Sequence, residues 1–593
     1  MEKWILKQNT ENKINYVQLG LSEYIYQILL NRNIDTKEKI EKFLKSKIED
    51  MNTPLLLPDI IKASNLIINK INRKEKIRII GDYDVDGVMS TYILYKGLTI
   101  LGGIVDYKIP SRAEDGYGIN NSMIEDAVID GIGLIITCDN GIAAINEIEY
   151  AKSKEIDIII TDHHEPPIVD GKEVLPDCPY IVDPKRSTSK YPFVDICGAV
   201  VAFKLIEYLF KINSIEESRL HNEFLEFAAI ATICDVMPLI DENRIVVHYG
   251  LRNLNKTSNI GLRALMEASD ILGKEIQVYH VGFIIGPTIN SSGRLKTADF
   301  SLKLLLEENY NNALKIAKSL RELNSKRQKL TDEGFISVDN KIKQYKMEKK
   351  FPVFVLRDKE IDESIVGIVA GRIKEKYNHP TIVLTESKGL LKGSGRSIEE
   401  YNMFEKISEL KHLLDRFGGH AMACGLSLKE ENYKDFVINI NNDSKLKRRD
   451  LIKKVYIDLN LKLLEIDNYL LMDIDKLKPF GNGNPKPVFA TKNLKIMDFK
   501  VFGKENNVLK MVLNDGTAKL PAVLFEKIET FYDNISIFLE KKRLDDLINY
   551  GNADFNLDIV YTPVINEYKG NKNIQLNIAN YRISGVNCDR RIN

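Results

Sequence analysis

Short apolar runs that end in acidic or histidine residues punctuate the first half of the chain. Ile77-Arg78-Ile79-Ile80 leads into Gly81-Asp82-Tyr83-Asp84-Val85-Asp86-Gly87, and Leu134-Ile135-Ile136-Thr137-Cys138 into Asp139-Asn140-Gly141. Ile156-Asp157-Ile158-Ile159-Ile160 leads into Thr161-Asp162-His163-His164, and Ala229-Ile230-Ala231-Thr232-Ile233-Cys234 into Asp235. Each run predicts a short, mostly buried β-strand. From 76 to about 240 such runs alternate with helical stretches, the rhythm of a parallel sheet. Strand ends that release carboxylates and imidazoles at one sheet edge are where an open α/β fold builds its site.

The pattern changes along the rest of the chain. Apolar spacing through Leu21–Leu30 and at Ile40, Phe43 and Leu44 predicts an N-terminal helical segment over 1–70, ahead of an α/β lobe over 71–300. A stretch rich in Lys, Leu and Glu, without proline, predicts a long helical connector over 301–345. A second α/β lobe over 346–450 opens at Phe351-Pro352-Val353-Phe354-Val355-Leu356 and includes the glycine-rich Phe417–Gly425. The basic run Lys445-Leu446-Lys447-Arg448-Arg449 reads as a linker. Beyond it, alternating segments between Asn-Gly and Asp-Gly turns predict a small β-barrel over 451–593.

Composition narrows the function classes. Among 593 residues, 84 basic and 84 acidic side chains cancel, which argues against a generally basic nucleic-acid coat but leaves room for a local basic groove. Cys138, Cys178, Cys197, Cys234, Cys424 and Cys588 are scattered with no Cys-x-x-Cys pair, so a reducing, cytoplasmic setting is expected rather than a zinc ribbon or disulfide framework. Cys138 and Cys234 read as small buried residues at the ends of their runs. No stretch offers 18 uninterrupted apolar residues, so no membrane-spanning segment is expected.

The acidic clusters have three bland readings. A solvated acidic turn at Asp82–Asp86 loses ground once Asp139, His163 and Asp235 occupy equivalent positions at the ends of their own runs. Asp82-x-Asp84-x-Asp86-Gly87 begins like a calcium-binding EF-hand loop, but the twelfth position is Ile93 instead of glutamate and a strand, not a helix, precedes it. Asp162-His163-His164 alone reads equally well as a helix N-cap followed by structural histidines. A metal reading needs carboxylates from other elements, and the other three run ends offer them. Mixed carboxylate and imidazole ligation favours Mn²⁺ or Mg²⁺ over structural zinc.

The ordered set Asp82–Gly87, Asp139-Asn140-Gly141, Asp162-His163-His164 and Asp235 resembles the four motifs of the DHH phosphoesterase superfamily, and within it the RecJ family of single-stranded-DNA-specific exonucleases. Further segments that resemble that family run in order along nearly the whole chain: Pro110-Ser111-Arg112 with Gly116-Tyr117-Gly118, Asn290-Ser291-Ser292-Gly293-Arg294, Leu323–Gln328, Gly367-Ile368-Val369-Ala370, Gly393-Ser394-Gly395-Arg396-Ser397, Gly418-Gly419-His420 and Pro479–Pro485. It departs at Ile361-Asp362, where the family has Trp-His, and at Ser291-Ser292, where Ala-Ala is commoner.

The resemblance implies an α/β catalytic lobe, a helical connector, a DHH-associated α/β lobe and an OB-fold barrel. It also implies 5′-to-3′ hydrolysis of single-stranded DNA by a two-metal mechanism, releasing 5′-mononucleotides in DNA repair and recombination. By motif position Asp139 would bridge two Mn²⁺ or Mg²⁺ ions, with Asp84, Asp86, His163 and Asp235 completing the two shells. Asp82 would be a ligand or would orient one, and His164 would stabilise charge on the phosphate or protonate the leaving oxygen. Arg112, Arg294, Arg396, Ser397 and His420 are the implied DNA or phosphate contacts; the arginines could instead tie the lobes together and His420 fill a tight turn. Single-strand-binding protein and a helicase are the implied partners of a monomer. The rival classes are a DHH phosphodiesterase for oligoribonucleotides or cyclic dinucleotides, which would lack the barrel, and a scaffold that has lost ligands. No ligand is missing here.

Overall fold

The computed structural model describes residues 2–7, 15–111, 116–551, 553–568 and 570–585. The chain divides into two units. One holds Lys47–Leu451 with Gly481–Gly483, and the other holds Met1–Ser46, Ile452–Phe480 and Asn484–Asn593.

The first unit is built on a five-stranded parallel sheet. Its strands are β1 (Lys76–Ile80), β2 (Ile104–Lys108), β3 (Ile132–Cys138), β4 (Asp157–Thr161) and β5 (Ile181–Val182), in spatial order β2-β1-β3-β4-β5. The isoleucine-rich centres of β1, β3 and β4 are buried on both faces, as a doubly covered parallel sheet requires. Helix α1 (Val85–Ile100) buries Val88, Met89, Ile93 and Leu94 in one core with Val200 and Phe203 of α2 (Gly198–Ile212) and Phe224, Phe227 and Ile230 of α3 (Glu217–Cys234). Helix α1 is buried all round from Val85 to Leu94 and turns a face to solvent only in its last turns, at Thr99.

The fourth apolar run is therefore not a strand. Residues 229–234 form the last turns of α3, and Asp235 follows as its C-cap residue. A short apolar run cannot be assigned by periodicity alone. The run here continues back through Phe224, Leu225, Phe227 and Ala228, too long for a typical strand and right for a buried helix. The missing strand is β5, whose register with β4 pairs Ile160 with Ile181 and Thr161 with Val182.

Helices α4 (Gly286–Leu295) and α5 (Tyr310–Tyr345, 36 residues) follow, the second forming most of the expected connector. The second lobe has a five-stranded sheet: β6 (Phe354–Arg357), β7 (Thr381–Ser387), β8 (Leu390–Arg396), β9 (Arg416–His420) and β10 (Ala423–Leu428), ordered β9-β10-β8-β7-β6. Helix α6 (Val366–Tyr377) packs between this sheet and α5. Ile361 is buried in the core shared by α5, β6 and α6, and the Asp362 carboxylate accepts the backbone N–H of Ser364 at 2.8 Å. Where the family carries Trp-His, this chain uses one packing residue and one cap.

In the other unit, β11 (Phe489–Phe502), β12 (Val508–Asn514), β13 (Lys519–Leu524), β14 (Asn556–Tyr568) and β15 (Asn571–Ile583) close in the order β11-β12-β13-β15-β14 and back to β11. The expected helical segment over 1–70 is not one element. Lys3–Leu6 is a strand that pairs in parallel with Lys454–Ile457, and the helices Glu23–Leu30 and Lys37–Lys45 pack into the barrel core. Helix Ile60–Asn72 belongs to the other unit and packs under its parallel sheet. No helix among the described residues is long and apolar enough to cross a membrane.

One buried acid of the first unit has a pH signature. Glu226 on α3 is 4% exposed, its carboxylate accepting the Thr257 hydroxyl at 2.7 Å, and burial pushes its pKa up to about 7 from 4.5. The folded state thus binds a proton that the unfolded chain releases, so stability falls as pH rises from 4.5 to 7, by about 3 kcal/mol at most. Glu226→Gln removes that slope. In urea titrations it is expected to gain roughly 1–3 kcal/mol at pH 8 and nothing near pH 4.5; the same gain at both pH values would contradict the assignment.

Candidate metal centre

The carboxyl edge of the parallel sheet gathers the acidic residues. After β1, Asp84 caps α1, its carboxylate accepting the N–H of Gly87 at 3.1 Å. Gly87 is required there, since a Cβ would lie 2.4 Å from the Asp82 carbonyl oxygen. Asp86, in the first turn of α1, accepts the N–H groups of Gly198 and Ala199 at 2.6 and 2.7 Å, one on each oxygen. The start of α2 therefore fixes that carboxylate and favours its charge.

After β3, Asp139 sits at φ +60, a left-handed turn that Asn140 pins from inside. The Asn140 side-chain amide donates to the carbonyls of Ile80 and Cys138 and accepts the N–H of Ile119. A Cβ on Gly198 would come within 2.8 Å of the Asp139 Cβ, so a glycine lets α2 approach this turn. After β4, the Asp162 carboxylate accepts the N–H groups of Ile142, His163 and His164, shaping the loop that presents both imidazoles.

These loops bring six of the expected ligands together. His163 Nε2 lies 3.1 Å from Asp139 Oδ1, 3.5 Å from Asp86 Oδ2 and 3.8 Å from Asp235 Oδ2. Asp86, His163 and Asp235 each offer an atom within 4.8 Å of the others, and so do Asp82, Asp84 and Asp139. Asp139 belongs to the second group and touches the first through His163. It is the residue placed to serve both.

Electrostatics say what the cluster lacks. Burial, followed by repulsion from neighbouring carboxylates, holds the Asp82 and Asp139 carboxyls well above the usual range; the same two causes push Asp235 up to about 8. Burial pushes His163 down to about 4, so the imidazole is neutral and able to ligate. Asp82 Oδ1, Asp139 Oδ1 and Asp235 Oδ2 are buried without a hydrogen-bond partner. Buried anions crowded together with free lone pairs need a cation. Oxygen-rich groups with one imidazole fit Mn²⁺ or Mg²⁺, and two such groups side by side fit a pair of ions.

His164 differs from His163. Burial opposes its charge, but Asp162 Oδ1, 2.8 Å from Nδ1, and then the charges of Asp235 and Asp86 push it up to about 9. With Asp139 and His163 it forms a third group whose ligand atoms lie within 4.8 Å of one another. Its Asp162 partner favours the charged imidazole at the edge of the cluster. Tyr117 stands beside it and donates its hydroxyl to the Asp139 carbonyl at 2.8 Å. Along the sequence Tyr117 stands out only as part of a Gly-Tyr-Gly segment, and Asp162 only as a cap. Asp183, just after β5, is a further buried acid, pushed up to about 8 by burial and then by Asp162.

Three of the phosphate candidates, Arg294, Arg396 and Ser397, line a cleft of about 1,520 Å³ between α4, α5 and the second lobe, bordered also by Val236 and Gly367. Arg294 donates to the Ser364 carbonyl at 2.8 Å, so it ties the two lobes together while bordering the cleft. Arg396 donates to Ser394 Oγ at 2.6 Å and packs over the backbone of Gly367. The Ser397 hydroxyl gives its proton to the Tyr401 carbonyl, so the donor expected for a phosphate is spent inside the fold. His420 is an exposed residue of the β9–β10 hairpin, whose Phe417 and Gly418 border the cleft. Arg112 lies outside the described residues.

Family models agree with this layout. The DHH family N-terminal domain matches residues 76–232, the DHHA1 domain matches 350–443 and the RecJ OB domain matches 457–580. The chain is 35% identical over 533 residues to the single-stranded-DNA-specific exonuclease RecJ of Bacillus subtilis, covering 89% of this chain and spanning 66% of the relative's length. It is 33% identical over 565 residues to RecJ of Haemophilus influenzae, covering 92% and 93% of the two chains. The crystal structure of RecJ in complex with Mn²⁺ from Thermus thermophilus superposes with a TM-score of 0.79 at 23% identity, over 98% of this chain and 79% of that one, and has the same fold.

Proposed function

Because this chain belongs to the RecJ family of DHH exonucleases, we propose that it degrades single-stranded DNA from the 5′ end with Mn²⁺ or Mg²⁺, releasing 5′-mononucleotides. The observation that carries this reading is the pair of adjacent ligand groups, Asp82-Asp84-Asp139 and Asp86-His163-Asp235, joined where His163 meets Asp139 at 3.1 Å. Two divalent cations held there supply Lewis-acid polarisation of the phosphate and a nucleophilic water at neutral pH.

The chain's own residues do the rest. Asp86, fixed by the start of α2, and Asp139, fixed by its pinned turn, hold the ligand geometry rigid before substrate arrives. His164, kept protonated by Asp162, gives a proton to the 3′-oxygen of the terminal nucleotide as its bond to phosphorus breaks. Arg294 and Arg396 border the cleft where the terminal 5′-phosphate would sit, which sets direction and one-nucleotide spacing. The barrel tracks the rest of the strand by charge and stacking. The described cysteines, all free, fit a reducing cytoplasm.

The direct test digests single and double strands labelled at either end, with Mn²⁺ or with EDTA. Rapid release of the 5′ label as mononucleotide, only from single strands and only with metal, is expected. Preferential release from the 3′ end would overturn the polarity, and faster turnover of oligoribonucleotides or cyclic dinucleotides would favour the rival enzyme class. Arg396→Ala is expected to slow cleavage of 5′-phosphorylated strands roughly ten- to a hundredfold in kcat/KM, the value of one charge-assisted contact of about 1.5–3 kcal/mol. Strands with a 5′-hydroxyl should lose much less. An equal loss on both would assign Arg396 to packing over α6.

A further inference from the structure

Asp235 depends on its backbone for its aim. Asp86 has an N–H on each carboxylate oxygen and Asp84 caps α1, whereas Asp235 Oδ2 is buried without a hydrogen-bond partner, 3.8 Å from His163 Nε2. The turn that carries Asp235 is strained. The N–H of Val236 donates to the Ile233 carbonyl at 3.2 Å and that of Met237 to the Thr232 carbonyl at 3.1 Å, so α3 ends in a Schellman motif. That motif puts a left-handed residue directly after the cap, where glycine is usual, and here the position holds Val236 at φ +57. A β-branched residue keeps that conformation only where its surroundings impose it. Burial of the side chain does not impose it, because Val236 is 64% exposed.

The restraint comes from 246 positions further along the chain. Gly481–Gly483 belongs to the unit that carries the metal centre, although the chain on both sides of it belongs to the other. Asn482 Nδ2 donates to the Val236 carbonyl at 2.7 Å, and the Asn482 carbonyl accepts the Leu239 N–H at 2.7 Å. A carbonyl only accepts, so the amide nitrogen and not its oxygen faces Val236. The two bonds span the turn from Val236 to Leu239. Glycines on either side let the segment seat: a Cβ on Gly481 would lie 2.6 Å from Leu239 Cδ1, and one on Gly483 3.0 Å from Pro238 Cβ. The far end of the turn is anchored in the core, with Leu239 buried and the Pro238 carbonyl accepting the Asn243 amide at 3.1 Å. The near end, beside Asp235, is held by Asn482. We propose that Asn482 is a positioning residue of the metal centre, keeping Val236 left-handed and thereby fixing the aim of the Asp235 carboxylate. Without its amide, Val236 relaxes toward an ordinary conformation, the Met237–Thr232 bond loosens, and Asp235 swings away from Asp86 and His163.

This inference rests on Asp235 being a metal ligand, and the experiment separates the two claims. In the full-length protein, half-saturating Mn²⁺ is read from the metal-induced rise in denaturation temperature and, independently, from the Mn²⁺ dependence of single-strand cleavage. Asn482→Asp keeps the side-chain volume and replaces the donor with an oxygen. It is expected to raise half-saturating Mn²⁺ about tenfold in both measurements, the lower end for a residue that supports a ligand. Asn482→Ala removes the donor without the new charge and should give the same shift. Glycine adopts the left-handed turn unaided, so in a Val236→Gly background Asn482→Asp should raise half-saturating Mn²⁺ less than about twofold. An unchanged Mn²⁺ requirement in both Asn482 variants, or a shift undiminished in the Val236→Gly background, would overturn the role of Asn482. So would a lower denaturation temperature of the metal-free variants with no change in half-saturating Mn²⁺, since that is the mark of a purely structural contact. A Mn²⁺ requirement unchanged by Asp235→Asn would instead overturn the ligand reading itself.

Discussion

Asp139→Asn is expected to reduce cleavage by at least about a thousandfold, the value of several kcal/mol of metal-centred transition-state stabilisation. Asparagine adopts the left-handed backbone readily and fills nearly the same volume, so the turn at φ +60 and its hydrogen bonds from Asn140 and Tyr117 survive. What is lost is the charge of the one carboxylate that belongs to one ligand group and touches the other. The metal-free variant should be no less stable than the parent, because a buried carboxylate repelled by its neighbours has been neutralised. The stabilisation that Mn²⁺ gives the parent, about 2.7 kcal/mol at a hundredfold excess over Kd, should shrink. Residual activity within about a hundredfold of the parent, the range of a substitution that only perturbs a ligand's support, would remove Asp139 from the shared position.

Much of this centre was legible before any coordinates, for a definable reason. In a buried parallel strand the apolar run is nearly continuous, so the first polar residue after it marks the sheet edge directly. That locates Asp82, Asp139 and Asp162-His163 just after β1, β3 and β4. Asp235 was found by the same rule although its run is a helix, because a buried helix end and a buried strand end both release a polar residue at the core boundary.

Illegible were the features made by contacts to backbone. Tyr117 acts on a carbonyl, Asp162 on three N–H groups, and the Ser397 hydroxyl turns to the Tyr401 carbonyl. None leaves a pattern along the chain. Ile181–Val182 is too short a strand for alternation to register.

Removing residues 1–46 is expected to unfold the barrel unit while residues 47–451 keep their own core. Ile25, Tyr26, Ile28, Leu29, Leu30, Ile40 and Phe43 are between 0 and 8% exposed and share one core with Leu470, Phe489, Leu509 and Leu557. Each buried side chain of this kind is worth roughly 1.5–3 kcal/mol, so the seven together match or exceed the 5–15 kcal/mol (about the whole stability of an ordinary domain) that holds such a fold. The strand Lys3–Leu6 adds a parallel edge to Lys454–Ile457, and Trp4 donates to Asn580 at 3.0 Å beneath the Arg582 guanidinium. Helical spacing in the first residues reveals an apolar face but not what that face covers, and the partner residues lie more than 400 positions away. Residues 452–593 alone should therefore show no cooperative thermal transition and no single-strand binding. The same residues joined to 1–46 through a flexible linker should regain both. A sharp transition for 452–593 alone, at the temperature seen with 1–46 attached, would mean that the helices only decorate a self-sufficient barrel.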